Sequence, residues 1–257
     1  MSKVIYLSPS MQENNVGAGS YGTEEQRMNQ VADVVERVLI NHGVVVYRNK
    51  PEWTLQKVVQ DSNSKSPNLH FAIHSNAGGG RGGEVFAYSP GGEGEKAARA
   101  IYSELEPLTP TSDRGIKFNP KLYELNSTNA PAALVEIAFH DNREDAKWIT
   151  DNIEGIGIAL AKGVIKYFGI KYKESSNSVE SDTKLEFKPY LVKITIEDLN
   201  IRKGPGTNYE KVGKYTGRGT FTIVEELEGK GATKWGLLKS YVDKRNGWIS
   251  LDYTTKV

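Results

Sequence analysis

Leu69-His70-Phe71-Ala72-Ile73-His74-Ser75-Asn76-Ala77-Gly78-Gly79 sets an alternating apolar run against a glycine-rich end. Leu69, Phe71 and Ile73 fall on one side of an extended chain, as one face of a buried strand requires. The run delivers His74 at the carboxyl end of that strand, where open α/β sheets place their ligands. A second run, Ala132-Ala133-Leu134-Val135-Glu136-Ile137-Ala138-Phe139, is apolar except for the carboxylate in its middle. Burying a histidine and a glutamate costs free energy unless each finds a partner, and a metal ion is one such partner.

Outward from these strands the chain alternates. Residues 3–7 predict a short buried strand, stopped by Ser8-Pro9-Ser10, and Gln12 to Gly22 is polar, glycine- and asparagine-rich, as an active-site loop is. Thr23 is the expected N-cap of a helix, with Gln26 three positions on. Met28, Val31, Val35, Val38 and Leu39 give that helix an apolar stripe ending near Asn41-His42-Gly43, where His42 caps the C-terminus. Val44 to Tyr47 predicts a strand, Pro51 to Ser62 a helix, Glu84 to Ser89 a strand and Glu93 to Leu105 a helix. Leu122 to Leu125 reads as a short strand, and Arg143 to Phe168 as one long helix with Gly155 and Gly157 as candidate interruptions. The order predicts an α/β fold, a mostly parallel sheet flanked by helices on both sides.

Beyond residue 170 the composition changes. Residues 171–188 are too polar and aperiodic to bury themselves and predict a flexible linker. Residues 189–257 carry short β-type runs separated by glycine-rich turn signals, which predicts a small all-β barrel; in it Trp248 is expected in the core. The expected domains are thus 1–170 and 189–257.

The composition narrows the function. A formal net charge of +1 argues against nucleic acid as a partner, and the absence of cysteine excludes disulfides and thiolate metal sites. Any metal must be held by nitrogen and oxygen. No apolar run has the length of a membrane span, so no membrane insertion is expected. The first residues lack the pattern of a signal peptide, so synthesis in the cytoplasm is expected, with release needed for any work outside.

With both parts laid out, residues 1–170 resemble the zinc-dependent N-acetylmuramoyl-L-alanine amidases of endolysins and autolysins (amidase type 3). The resemblance rests on Ala72-Ile73-His74-Ser75-Asn76-Ala77, on Leu134-Val135-Glu136-Ile137-Ala138-Phe139 with Asn142, on Glu25 four residues before Asn29, and on Arg114-Gly115 and Leu122 to Pro131. It implies a Zn2+ cofactor with His74 and Glu25 as ligands and Glu136 as the catalytic glutamate. Glu24 competes with Glu25 for the ligand role. The family's first ligand, a histidine directly after strand one, is missing. Gln12 is the candidate replacement, as in relatives that begin Ser-Pro-Ser-x-Gln, with Glu13 and His140 as alternatives. Asn76 and the Gly78-Gly79-Gly80 amides are candidate substrate contacts, and His140 a residue of the substrate cleft. Asp198-Leu199-Asn200-Ile201-Arg202-Lys203-Gly204-Pro205 and Asn246-Gly247-Trp248-Ile249 resemble a bacterial SH3-like (SH3b) cell-wall-binding domain.

The expected function is that of a peptidoglycan hydrolase cleaving the amide between N-acetylmuramic acid and L-alanine, in the role of a phage or prophage endolysin acting on bacterial cell-wall peptidoglycan. The alternative is a non-catalytic wall-binding protein that has lost its metal.

Overall fold

The computed structural model describes residues 2–109, 111, 114–173, 189–238 and 247–257, and the chain separates into two units, Met1–Asn177 and Ser178–Val257. Most of the expected linker, residues 174–188, lies outside the described residues.

The first unit holds strands β1 (Val4–Pro9), β2 (Val45–Arg48), β3 (Leu69–Asn76), β4 (Glu84–Ala87), β5 (Ile116–Phe118) and β6 (Ala132–Phe139) in one sheet of order β2-β1-β3-β6-β4-β5. Every neighbouring pair is parallel except β4 with β6. Its helices are α1 (Glu24–Asn41), α2 (Leu55–Lys65), α3 (Glu93–Leu105), α4 (Tyr123–Ser127), α5 (Arg143–Asp151) and α6 (Ile153–Tyr167). The mixed α/β layering expected from the sequence is present.

Strand periodicity sorts the side chains. Odd-numbered Ile5, Leu7, Leu69, Phe71, Ile73, Ala133, Val135 and Ile137 join one buried cluster with Met28, Val31 and Val35 of α1, Ile101 of α3 and Leu160 and Val164 of α6. Even-numbered Ala72, Ala132 and Leu134 form a smaller cluster with Leu125 of α4. One face of the sheet is thus a large apolar core, and the other is thinly covered.

Local chemistry explains the helix ends. The Thr23 hydroxyl accepts from the Gln26 amide at 3.2 Å and so starts α1, with Glu24 and Glu25 in the first turn complementing its dipole. His42 is the C-cap, as the sequence suggests. Asn142 starts α5 by accepting from the Glu144 and Asp145 amides at 3.0 and 3.2 Å.

Two expectations are corrected. Tyr123–Ser127 is helical, not a strand from Leu122 to Leu125. The long helix from Arg143 to Phe168 is two helices, broken at Asn152, whose backbone leaves the helical region (φ −124°, ψ 23°) and whose side-chain amide donates to Trp148 O at 2.8 Å. The glycines do not break it. Gly157 lies against Val34 and Gly163 against the backbone of Ile101, where an added Cβ would come within 2.5 and 2.4 Å, so glycine allows close approach of α6 to α1 and α3.

The described part of the second unit is all-β apart from one short 3-10 turn. Strands β7 (Tyr190–Ile194), β8 (Asn200–Arg202), β9 (Lys211–Tyr215), β10 (Gly219–Gly229), β11 (Ala232–Leu238), β12 (Trp248–Ser250) and β13 (Thr254–Lys256) run in the order β13-β7-β10-β11-β12-β8-β9, with antiparallel pairings. Val192, Ile194, Ile201, Ile223, Leu238 and Ile249 form its core, and Trp248 is buried as expected. Among the described residues no helix is long and apolar enough to cross a membrane.

Candidate active site

The thinly covered face carries the ionisable groups. His74 on β3 pairs in register with Glu136 on β6, and Glu136 pairs with Glu84 on β4, so three ionisable side chains stand in a row across neighbouring strands. Glu24, at the start of α1, reaches over the carboxyl edge of the sheet and places Oε1 2.8 Å from His74 Nδ1. Glu24 is 1% exposed and is further bound by Asn15 Nδ2 at 2.8 Å and by the Ser10 hydroxyl. On the other ring nitrogen, Glu124 Oε2 lies 3.6 Å from His74 Nε2. Glu84 is held by Asn76 Nδ2 at 2.8 Å, by Arg114 Nε at 2.8 Å and by Lys117. Glu136 differs from all of these: its Oε2 is buried without a hydrogen-bond partner.

The environments separate the carboxylates. Burial opposes the charge of Glu24, but hydrogen bonds from His74, Asn15 and Ser10 outweigh it and hold the carboxyl below its ordinary range. Glu124 is likewise buried, yet His70 and His74 hold it far below that range. Burial also opposes charge on His74, and Glu124 and Glu24 overcome it, raising the imidazole to about 10. Glu136 goes the other way. Burial pushes it up to about 7, the positive charge of His74 opposing and Glu24 and Glu84 adding to the rise. A carboxylate that exchanges its proton near neutral pH stands beside two that stay ionised, which is the division of labour that acid–base catalysis uses.

The donor set suits a borderline divalent ion. His74 Nδ1 and Glu24 Oε1 face each other at 2.8 Å, and the unpartnered Glu136 oxygen stands in the same row, so a cation here would relieve buried negative charge. Among the described residues no three histidine, aspartate or glutamate side chains converge closely enough to enclose an ion. An ion held at His74 and Glu24 would therefore need neutral oxygens or water as its further ligands.

Comparison with known proteins gives the family. A family model described as N-acetylmuramoyl-L-alanine amidase matches residues 5–166. The chain belongs to the N-acetylmuramoyl-L-alanine amidase family. The amidase CwlM of Bacillus licheniformis is 28% identical over 175 residues, covering 65% of this chain and 69% of that protein. An uncharacterised Clostridium perfringens protein is 28% identical over 178 residues, 67% of this chain, and the match spans about half of that relative, 53%. The endolysin of Bacillus phage SPP1 is 24% identical over 201 residues, 72% of this chain and 73% of that one. Among solved structures, the catalytic domain of CwlV, an N-acetylmuramoyl-L-alanine amidase from Bacillus (Paenibacillus) polymyxa, shares the fold with a TM-score of 0.61 at 20% identity, over 66% of this chain and 99% of that one.

The amidase unit brings together only part of the residue set expected from sequence. His74 and Glu136 meet. The carboxylate against His74 is Glu24; Glu25, one position on, is only partly buried and faces the charge of Glu13. Gln12 is exposed, and its side chain is linked to Glu24 through Asn15, whose Nδ2 donates to Gln12 Oε1 and to Glu24 Oε2, each at 2.8 Å. His140 is 3% exposed, stacks on Tyr21 at 5.6 Å and bonds Ser75 through Nδ1 at 2.9 Å, so it supports the loop after β6 from within instead of lining a cleft. The Gly78 and Gly79 amides are committed to Asp141 Oδ2 at 2.7 and 2.9 Å, and Asn76 to Glu84, which leaves the glycine loop braced by the protein itself. Sequence reasoning missed Glu124, Glu84, Ser10 and Asn15. The signal for Glu124 is its position between Leu122 and Leu125, an acidic residue inside an apolar turn.

Proposed function

We propose that the first unit hydrolyses the amide between N-acetylmuramic acid and the L-alanine of the stem peptide, with Zn2+ as cofactor. His74 through Nδ1 and Glu24 through Oε1 would hold the ion, with Gln12 or Asn15 as the neutral oxygen donor from the loop after β1. The bound ion supplies Lewis acidity, which polarises a carbonyl and lowers the pKa of water towards neutrality. Glu136 accepts the proton of the attacking water at its unpartnered Oε2 and returns it to the departing amine. A carboxyl poised near neutrality suits both halves of that exchange. Glu84, held by Arg114 and Lys117, stands beside Glu136 and adds to the rise that favours its protonated form between the two steps.

The observation that carries this reading is the His74–Glu24 pair in one row with a half-buried carboxylate whose buried oxygen has no partner. We further propose that residues 189–257 are an SH3-like (SH3b) wall-binding barrel. Joined by a linker at 171–188, it would hold the hydrolase near its polymer and raise the local substrate concentration. Resemblance to a phage endolysin supports release to the wall at lysis as the setting. Zinc content measured alongside lysis of Gram-positive walls, before and after chelation, tests the reading. About one zinc per chain and chelator-sensitive lysis are expected; a protein that binds walls, holds no zinc and releases no amino groups is a wall-binding protein only.

A further inference from the structure

The hydrolytic scheme gives no task to the buried carboxylate on the far side of His74. Glu124, on α4, is 4% exposed. Its Oε1 accepts from His70 Nε2 at 3.0 Å and from the Ser8 hydroxyl, while Oε2 lies 3.6 Å from His74 Nε2. His70 and His74 stand four residues apart on the same face of β3. Ala72 between them has no side chain beyond Cβ, which leaves room for the Glu124 carboxylate to lie across the strand and face both rings. His70 is fixed from behind by Ser62 Oγ at 2.9 Å and by stacking on Tyr6 at 5.5 Å.

The two ring nitrogens of His74 point away from each other, so Glu24 at Nδ1 and Glu124 at Nε2 cannot share one ion bound through a single nitrogen. The Nδ1 edge faces Glu24, which is linked through Asn15 to the exposed Gln12 of the loop after β1. The Nε2 edge faces the closed cluster of Glu124, His70 and Ser8. At 3.6 Å the Glu124 oxygen is an electrostatic contact outside hydrogen-bond range. A negative charge there favours an N–H at Nε2 over a lone pair.

We propose that Glu124 is a positioning residue: it fixes the proton of His74 on Nε2 and thereby reserves the Nδ1 lone pair for zinc beside Glu24. This rests on the zinc reading above. Carboxylates that orient a metal-ligating histidine from the far ring nitrogen typically contribute about 10–100-fold to metal affinity.

The test uses the full chain and zinc itself, titrated against a chromophoric chelator, with Glu124→Leu, Glu124→Gln and His74→Ala. Glu124→Leu preserves side-chain bulk beside Leu125 and is expected to bind zinc about 10–100-fold more weakly. Glu124→Gln is expected to fall between it and the wild type, because its carbonyl oxygen can face His74 while its amide turns to His70 and Ser8. In the zinc-loaded wild type, nitrogen-15 resonances of His74 should show zinc on Nδ1 and the proton on Nε2, a readout that holds even if Glu124→Leu does not fold. Zinc affinity of folded Glu124→Leu within twofold of wild type, or zinc found on Nε2, overturns the proposal alone. A wild-type chain that takes up no zinc, or takes it up equally in His74→Ala, overturns the zinc reading and this proposal with it.

Discussion

The two faces of the six-stranded sheet are made by alternate residues of the same strands, yet they do opposite work. On one, Ile5, Leu7, Phe71, Ile73, Val135 and Ile137 pack against α1, α3 and α6 and supply the free energy of folding. On the other, His70, His74, Glu84 and Glu136 meet mostly polar partners: Glu124 of α4, Glu24 at the start of α1, Arg114 and Lys117. The apolar face tolerates the polar one. A buried carboxylate without a partner is destabilising by itself, and the large core opposite makes it affordable at the one place where it is useful.

The comparison can be broken most severely at Glu136. Glu136→Gln should lower amidase turnover by about 10²–10⁴-fold, the usual contribution of a general acid–base residue, with zinc content and melting temperature preserved or raised. Retained turnover would remove the proton-transfer role. On the opposite face, Phe71→Ala is expected to destabilise the amidase unit by about 3–5 kcal/mol, read as a lowered urea midpoint, with no specific change in zinc affinity of the fraction that folds.

The pH dependence of the metal-free protein sharpens the contrast. Glu136 has its folded pKa raised from 4.5 to about 7, so its contribution to stability is intact below 4.5 and is lost as pH rises through about 7. The loss amounts to roughly 3 kcal/mol at most. Between pH 5 and 6.5 Glu24, Glu124 and His74 stay charged in the folded chain, and the titration of the same groups in the unfolded chain adds only small changes of opposite sign. Urea midpoints in chelator at these two values should fall for the wild type and stay level for Glu136→Gln; parallel lines for the two proteins would contradict the burial of Glu136. The finest distinction is between neighbours: Glu24→Gln should abolish stoichiometric zinc binding, whereas Glu25→Gln should change it by less than about twofold, as surface substitutions do.

Which parts of this were legible in the sequence follows from periodicity. Apolar patterning put His74 at the end of one buried strand and Glu136 in the middle of another, and the sheet brought the two into register on one face. Helix phase was less readable: spacing to Asn29 pointed to Glu25, but Thr23 caps the helix so that Glu24 turns inward, and one residue is about 100° of helix rotation. Glu124 was hidden because Leu122 to Leu125 is too short an apolar run for its period to be read, and a strand there would have turned the carboxylate differently. His140 looked free after β6. Only the fold shows Ser75 and Tyr21 enclosing it.

The most direct measurement is the chemical identity of the amino groups released when zinc-loaded protein digests purified peptidoglycan, with Glu136→Gln as the control. New amino-terminal L-alanine, absent with Glu136→Gln, is the result expected of an amidase built on this face of the sheet. New termini of any other residue, or L-alanine released equally by Glu136→Gln, would contradict it.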